Sequence, residues 1–384
     1  MKVVVVGGAG SMGQAVVRDL IKQEIFDKVV ISDVTLDKER ISEKILMNKK
    51  TALENVDLYE YEKLLNVISG AKIVVNCAGP FYKTTMAVVR AALEAKANYI
   101  DICDDYEATQ MLLSDPTLNA EAIKSNIIIL TGMGSDPGTN NILAKWYAEK
   151  MDFVEDIFLY WVVSIAEISG AAMDHSLHMI IGKVPQYING ELVYLEGGEG
   201  AETVVFLPPV GECIVRFVGH PQPLTLPKYI KGVRNVIIKG ALFPKWVDEY
   251  IITQKEMGFL QNKTIRFKEV EITPYELTLI LWHNIKESKD KGPSASALKV
   301  VVKGKKGAKK VRYTADILGR MAPGTGLPAG IAAGMIAKGI IKEKGVLVPE
   351  ACVDPKMFLS EFIKRGAKIY EQYTEERTLD IEDL

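Results

Sequence analysis

The sequence predicts an α/β protein, a doubly wound parallel sheet followed by a second α+β domain built on a mostly antiparallel sheet. Three observations carry this. Residues 1 to about 137 alternate short β-branched runs with amphipathic helical segments. A glycine-rich turn joins the first run directly to the first helix. Beyond Met133 the pattern changes to long strands and hairpins.

In the first part the expected strands are Lys2–Val6, Lys28–Asp33, a weak one near Val56–Tyr59, Lys72–Cys77, Asn98–Ile102 and Asn126–Leu130. Helices such as Ser11–Lys22 and Thr84–Ala95 lie between them. The second part opens with a helix from about Thr139 to Met151, then the strand Asp156–Ser164 and a helical piece around Met173–Ile181. Asn189-Gly190 signals a hairpin. Further strands are expected at Thr203–Phe206, Glu212–Val218 and Val233–Lys239. A second hairpin, Leu298–Lys303 with Lys309–Ala315, turns through the basic GKKG, read as a solvated turn. From Pro323 the tail reads as helical. The expected division is 1–137 for nucleotide binding, 138–320 for substrate and dimerisation, and 321–384 as a helical segment returning to the first domain.

Composition narrows the function classes. A chain of 384 residues is too long for one ordinary core. A net charge of -2 supplies no broad drive toward nucleic acid or an anionic membrane. Cys77, Cys103, Cys213 and Cys352 stand far apart without CxxC spacing, which favours a reducing compartment over a disulfide framework. The longest membrane-span candidate, Gly326–Ile341, is short, glycine-rich and carries Lys338. MKVVVVGG does not read as a signal peptide. A cytoplasmic protein without nucleic-acid or membrane partners is expected. A homodimer or higher homo-oligomer is expected too, because the second sheet needs its faces or edges covered.

The strongest motif is VVVVGGAGSMGQAVVRDL. Gly8, Gly10 and Gly13 form GxGxxG between a strand and a helix, the Rossmann context. The first glycine permits the tight turn, the second lets a pyrophosphate approach, and the third lets helix pack on strand. Gly7, Gly10 and Gly13 fit a GxxGxxG reading equally, so the glycine nearest the phosphate stays open. Ala9, Ser11 and Met12 complete the cradle. Asp33 ends the second strand twenty residues after Gly13 and is placed to hold both ribose hydroxyls. It would repel a 2′-phosphate, and Val34 and Thr35 supply no arginine, so NAD is favoured over NADP. NCAGPF sets Ala78, Gly79 and Pro80 at the same carboxyl edge, along the dinucleotide.

YIDICDDYEAT crowds acids and a thiol behind the fifth strand, near the nicotinamide end of the cofactor. No histidine is close in sequence and the spacing suits no familiar metal set, so no metal is expected. One of Asp104 and Asp105 caps the following helix, while the other, with Cys103, faces the crevice and suits a cationic amine. TGMGSDPGTNNILAK brings Asp136 to that edge with Asn140 and Asn141 opening a helix. Asp136 is either a cap or a substrate and proton-relay group.

Taken together, GGAGSMG, NCAGPF, YIDICDDYEAT, GMGSDPGTNN and TGLPAGIAAGMIAKG resemble the saccharopine dehydrogenase family across almost the whole chain. The family includes saccharopine reductases, lysine 6-dehydrogenases and carboxynorspermidine dehydrogenases. The resemblance implies hydride transfer between a nicotinamide and the carbon of a C–N bond in an amino acid, through an imine. It matches Asp136 to the aspartate of the family's DPG segment. Ile102, Cys103 and Asp104 depart from the Thr-Ser-Tyr of the glutamate-forming reductases, and Val162 and Val163 stand where those have a cysteine.

In the second domain, His175 and His178 share one helical face, and a histidine of near-neutral pKa would serve as the base. Either is equally a packed structural residue. His220 sits in GHPQP, a binding loop or a rigid turn. Arg234 and Lys239 are solvated or hold a substrate carboxylate, and Trp282-His283 reads as a helix end. The leading reading is an amino-acid dehydrogenase using Asp104, Asp136 and His175, with Cys103, Asp105, Asn140 and His178 around the substrate. The rivals are a carbonyl reductase and a non-catalytic NAD-binding sensor or assembly subunit.

Overall fold

The computed structural model describes residues 1–168, 171–288 and 290–376, with the side chains of 171, 283 and 285–288 also left out of the description. The first sheet contains β1 (Lys2–Val6), β2 (Lys28–Asp33), β3 (Thr51–Asn55), β4 (Ile73–Asn76), β5 (Asn98–Asp101) and β6 (Ile128–Leu130). The second contains β7 (Phe153–Ser164), β8 (Lys183–Ile188), β9 (Glu191–Glu196), β10 (Glu202–Val205), β11 (Glu212–Phe217) and β12 (Asn235–Phe243). A small hairpin, β13 (Ile265–Phe267) and β14 (Val270–Ile272), stands apart from both. The second sheet is completed by β15 (Ser296–Lys306), β16 (Lys309–Gly319) and β18 (Ile369–Glu376), whereas β17 (Gly345–Leu347) joins the first.

The first sheet is parallel throughout, in the order β17-β6-β5-β4-β1-β2-β3. Strand order reverses between β1 and β4, which opens the crevice of a Rossmann fold at their carboxyl ends. The run of four valines in β1 follows from burial on both faces. Val3 and Val5 enter one core while Val4 and Val6 enter the other. Each contributes roughly 1.5–3 kcal/mol by leaving water.

The second sheet runs β10-β11-β12-β7-β15-β16-β18, with β8 pairing to β12 and β9. All its pairs are antiparallel except β12 with β7. The β7 side chains alternate between two cores, Ile157, Leu159 and Trp161 on one face and Tyr160 and Val162 on the other.

Three expectations need correction. The third strand is Thr51–Asn55, not Val56–Tyr59. It is a half-exposed edge, and the segment after it turns where the Asp57 carboxylate accepts the Tyr59 N–H at 2.9 Å. Trp282-His283 lies inside the helix Pro274–Ser288 rather than at its end. Trp282 is fully buried there and donates to Gln254 Oε1 at 2.8 Å, while the side chain of His283 lies outside the described residues. The tail is not only helical. Its helix Met321–Ala337 lies against the helix Ser11–Leu20, so closely that a Cβ on Gly326 would sit 2.6 Å from that of Ala15. Beyond it, β17 extends the first sheet and β18 the second. No described helix is long and apolar enough to cross a membrane.

Candidate functional site

At the carboxyl end of β1 the chain turns sharply. Gly7 has φ +71°, and a Cβ there would lie 2.7 Å from the amide nitrogen of Ala78. A Cβ on Gly13 would lie 2.2 Å from the carbonyl oxygen of Gly7, so the helix Ser11–Leu20 packs directly on the turn. Among the described residues a Cβ on Gly10 would meet only the Gly7 carbonyl oxygen, at 3.4 Å, which leaves the outer side of the turn open at the helix N-terminus. The Asp33 carboxylate at the end of β2 accepts the Ala9 N–H at 3.0 Å and the Thr35 N–H at 3.2 Å. Gln14, which sequence reasoning passed over, ties the loop after β2 to this turn. It donates to the carbonyls of Ala9 and Arg40 and accepts from Ser42 N–H.

The close packing yields a prediction. Gly13→Ala forces backbone against backbone, an overpacking that costs about 1–3 kcal/mol or more. A lowered Tm and at least tenfold weaker NADH binding in a fluorescence titration are expected. Unchanged binding would mean that the helix start is not the phosphate site.

Between this edge and the second sheet lies a cavity of about 190 Å³. Met12, Gly79, Pro80 and Ile102 line it from the first domain, and Trp161, Leu242 and Leu298 from the second. Its polar end is formed by Asp104, Asp105, Asp136, His175 and His220. Asp105 is essentially buried; one oxygen lies 2.8 Å from His175 Nδ1 and the other accepts the Tyr82 N–H at 3.1 Å. Asp104 Oδ2 approaches the other ring nitrogen of His175 at 3.3 Å. His220 Nδ1 is 3.1 Å from Asp136 Oδ2, and its ring stacks on Trp161 with centroids 5.5 Å apart. Asp136 Oδ1 accepts from Asn140 Nδ2 at 2.7 Å and from Gln222 Nε2. The approaches of Asp104 to His175 and of Asp136 to His220 are close contacts without the alignment of a hydrogen bond.

Electrostatics couples these groups. Burial lowers the His175 pKa, but Asp104 and Asp105 outweigh it and carry it to about 9. Burial raises Asp104, with only partial relief from His175. For Asp105 burial is overcome by the charge and hydrogen bond of His175, which hold its carboxyl below the ordinary range. At neutral pH His175 is therefore an imidazolium between acids. This corrects the expectation of a base of near-neutral pKa.

Below the cluster, Asp101 is wholly buried and joins β5 to the segment after β6. It accepts hydrogen bonds from Gly132 N at 2.6 Å, Thr131 Oγ1 at 3.0 Å, Cys103 N at 3.1 Å and Tyr99 Oη at 2.9 Å. Burial raises its carboxyl to about 6 against the pull of those donors.

Other expectations fare differently. Asp105 is the N-cap residue of the helix Tyr106–Leu113, but its side chain makes no cap hydrogen bond. Its carboxylate is spent on His175 and Tyr82. Cys103 is fully buried rather than facing the crevice; it bonds to the Asp105 carbonyl at 3.4 Å, and burial pushes its thiol well up. His178 does not line the cavity. It pairs with Glu107 at 3.1 Å and stacks on Tyr82 at 4.5 Å. Asn140 is buried behind Asp136, and its role is to hold that carboxylate. Lys239 is committed to Glu202 at 2.7 Å, whereas Arg234 is exposed. His220, Trp161 and Gln222 enter the site without a strong sequence signal beyond the GHPQP loop.

Comparison with known proteins agrees with this architecture. The model of the saccharopine dehydrogenase NADP binding domain matches residues 3–129, and that of the saccharopine dehydrogenase C-terminal domain matches residues 178–367. Among solved structures, the saccharopine dehydrogenase (L-Glu forming) of Saccharomyces cerevisiae is similar over 97% of this chain and 99% of that one, at 15% identity and TM-score 0.68. A homospermidine synthase of Legionella pneumophila, solved in complex with NAD, is similar over 97% of this chain and 91% of that one, at 13% identity and TM-score 0.64. At such identities the likeness to these two structures is one of fold. The two family matches, in order and over most of the length, are what decide membership: the chain belongs to the saccharopine dehydrogenase family of NAD(P)-binding oxidoreductases.

Proposed function

We propose that the protein is an NAD(P)-dependent dehydrogenase acting on a C–N bond of an amino acid of the lysine/saccharopine type, through an imine. The observation that carries this is the acid–histidine cluster at one end of a largely apolar cavity, beside the glycine turn. In this reading residues 1–137 hold the nucleotide, 138–320 the substrate, and 321–384 tie the two together.

Gly8, Ala9, Gly10, Ser11, Met12 and Gly13 cradle the pyrophosphate, and Ala78, Gly79 and Pro80 let the cofactor pass close to the backbone. The bound nicotinamide supplies or accepts the hydride. Asp33 already fastens the turn through Ala9 N–H, and its negative charge favours NAD over NADP. Asp104 suits a cationic substrate amine through charge-assisted hydrogen bonds, whereas Asp105 supports it through His175. With His175 already charged, Asp136 is the better-placed proton acceptor as the imine forms. A homo-oligomer joined through the second sheet belongs to this reading, since β18 leaves Tyr370 and Tyr373 exposed at its edge. So does a reducing, cytoplasmic setting for four free cysteines.

The test follows reduced-nicotinamide absorbance with NAD and then NADP across L-lysine, saccharopine, carboxynorspermidine and other amino acids. Reduction of NAD by one of them, with ammonia or amine dependence in reverse, is the expected result. NADH binding without turnover across the panel, joined to NAD-dependent partner binding, would replace the enzyme by a sensor.

A further inference from the structure

We infer that Asp104, His175 and His220 form a site for one divalent transition-metal ion of the zinc type, with a coordination position open to the cavity. One ligand atom from each of the three lies within 4.8 Å of the others. The 3.3 Å between Asp104 Oδ2 and His175 Nε2 matches the edge of a tetrahedron, about 3.4 Å for bonds of about 2.0–2.1 Å. Two imidazoles and one carboxylate are a donor set that zinc accepts. Three protein ligands with a free fourth position characterise reactive rather than structural sites.

The surroundings are those of metal-binding histidines. His175 turns its Nδ1 to Asp105, and the Tyr82 N–H anchors that carboxylate. His220 turns its Nδ1 to Asp136, which Asn140 and Gln222 hold in place. Each ring thus has a carboxylate beside its Nδ1, the side from which a ligand histidine is oriented. The Nε2 of His175 faces Asp104, the third proposed ligand, and a metal ion there would displace the proton that His175 carries between the acids. An independent observation points the same way. His220 is only 3% exposed, yet among the described residues its Nε2 has no hydrogen-bond partner. A buried unpaired nitrogen is costly, and a cation coordinated by it removes that cost. The second acid–histidine group, Asp105, Glu107 and His178, lacks these features. Its Asp105 is committed to His175, and His178 already bonds to Glu107.

Binding of the ion does not depend on which substrate the preceding reading assigns. The test uses the full-length protein without a histidine tag, stripped with a chelator, reloaded with zinc and dialysed. Elemental analysis should find one zinc per chain, and cobalt loading should give the intense visible bands of a four-coordinate site. His220→Gln and Asp104→Asn should each weaken zinc binding at least 100-fold. Asp105→Asn should weaken it about 10- to 100-fold, as expected for a supporting carboxylate, while His178→Ala should retain it. Thermal unfolding and NADH binding of each variant separate metal loss from misfolding. Absence of stoichiometric zinc in the wild type, or wild-type retention by folded His220→Gln, would overturn the site. A silent substrate panel with zinc bound would sink only the proposed reaction.

Discussion

Asp101→Ala is expected to lower the free energy of unfolding by about 3–5 kcal/mol, because it orphans buried donors that together cost that much. Four donors converge on this carboxylate, two of them backbone N–H groups, and none can turn to solvent. The contacts pin the end of β5 to the segment that leads to Asp136. Loss of this clamp therefore loosens both acidic stretches of the candidate site together. Urea unfolding of the purified variant measures the change directly; a loss under about 1 kcal/mol would mean that water or a neighbour satisfies the donors.

Asp101→Asn separates charge from shape and has a definite sign with pH. The folded carboxyl sits at about 6 and the unfolded reference at 3.8, so the ionised form is penalised on folding. That penalty is complete above about pH 6 and is relieved progressively as pH falls toward 3.8. The wild type should therefore gain stability relative to Asp101→Asn as pH drops through this window. A pH-independent difference would show that the hydrogen bonds fully offset burial, and a loss of stability as pH drops would show that they outweigh it.

Asp136→Asn is expected to reduce kcat by about 10²–10⁴-fold, the range for removing a general acid–base group, while NADH affinity stays nearly unchanged. The amide keeps the size of the side chain and an oxygen for Asn140 and Gln222, so the local fold survives. What it loses is the negative charge facing His220 and the capacity to take a proton. A parallel fall in turnover and NADH affinity, with a lowered Tm, would assign Asp136 to structure alone.

Much of the nucleotide half is legible in linear sequence because its signals are local. A strand, a glycine turn and a helix are contiguous, and the spacing to Asp33 is set by one β-α-β unit. The valine run in β1 announces a strand buried on both faces. Where local signals were weak, placement slipped. The third strand lies five residues earlier than its β-branched residues suggested, because an edge strand needs only one neighbour and half its burial. Trp282 suggested a helix end, but the helix continues past it because its indole is packed and bonded to Gln254.

By itself the sequence determined the class of the protein. Its periodicity set a parallel sheet ahead of a mixed one, its glycine motif marked the nucleotide edge, and its motifs carried the family. The tertiary structure alone decided what the acidic stretch faces. His175 and His220 lie roughly 70 and 115 residues beyond Asp104 and Asp105, and only the packing of the second sheet over the crevice brings them there. That encounter makes one histidine an imidazolium and leaves the second with a free buried nitrogen. Electrostatic coupling falls off with distance in space, not along the chain, so no inspection of neighbouring residues predicts it.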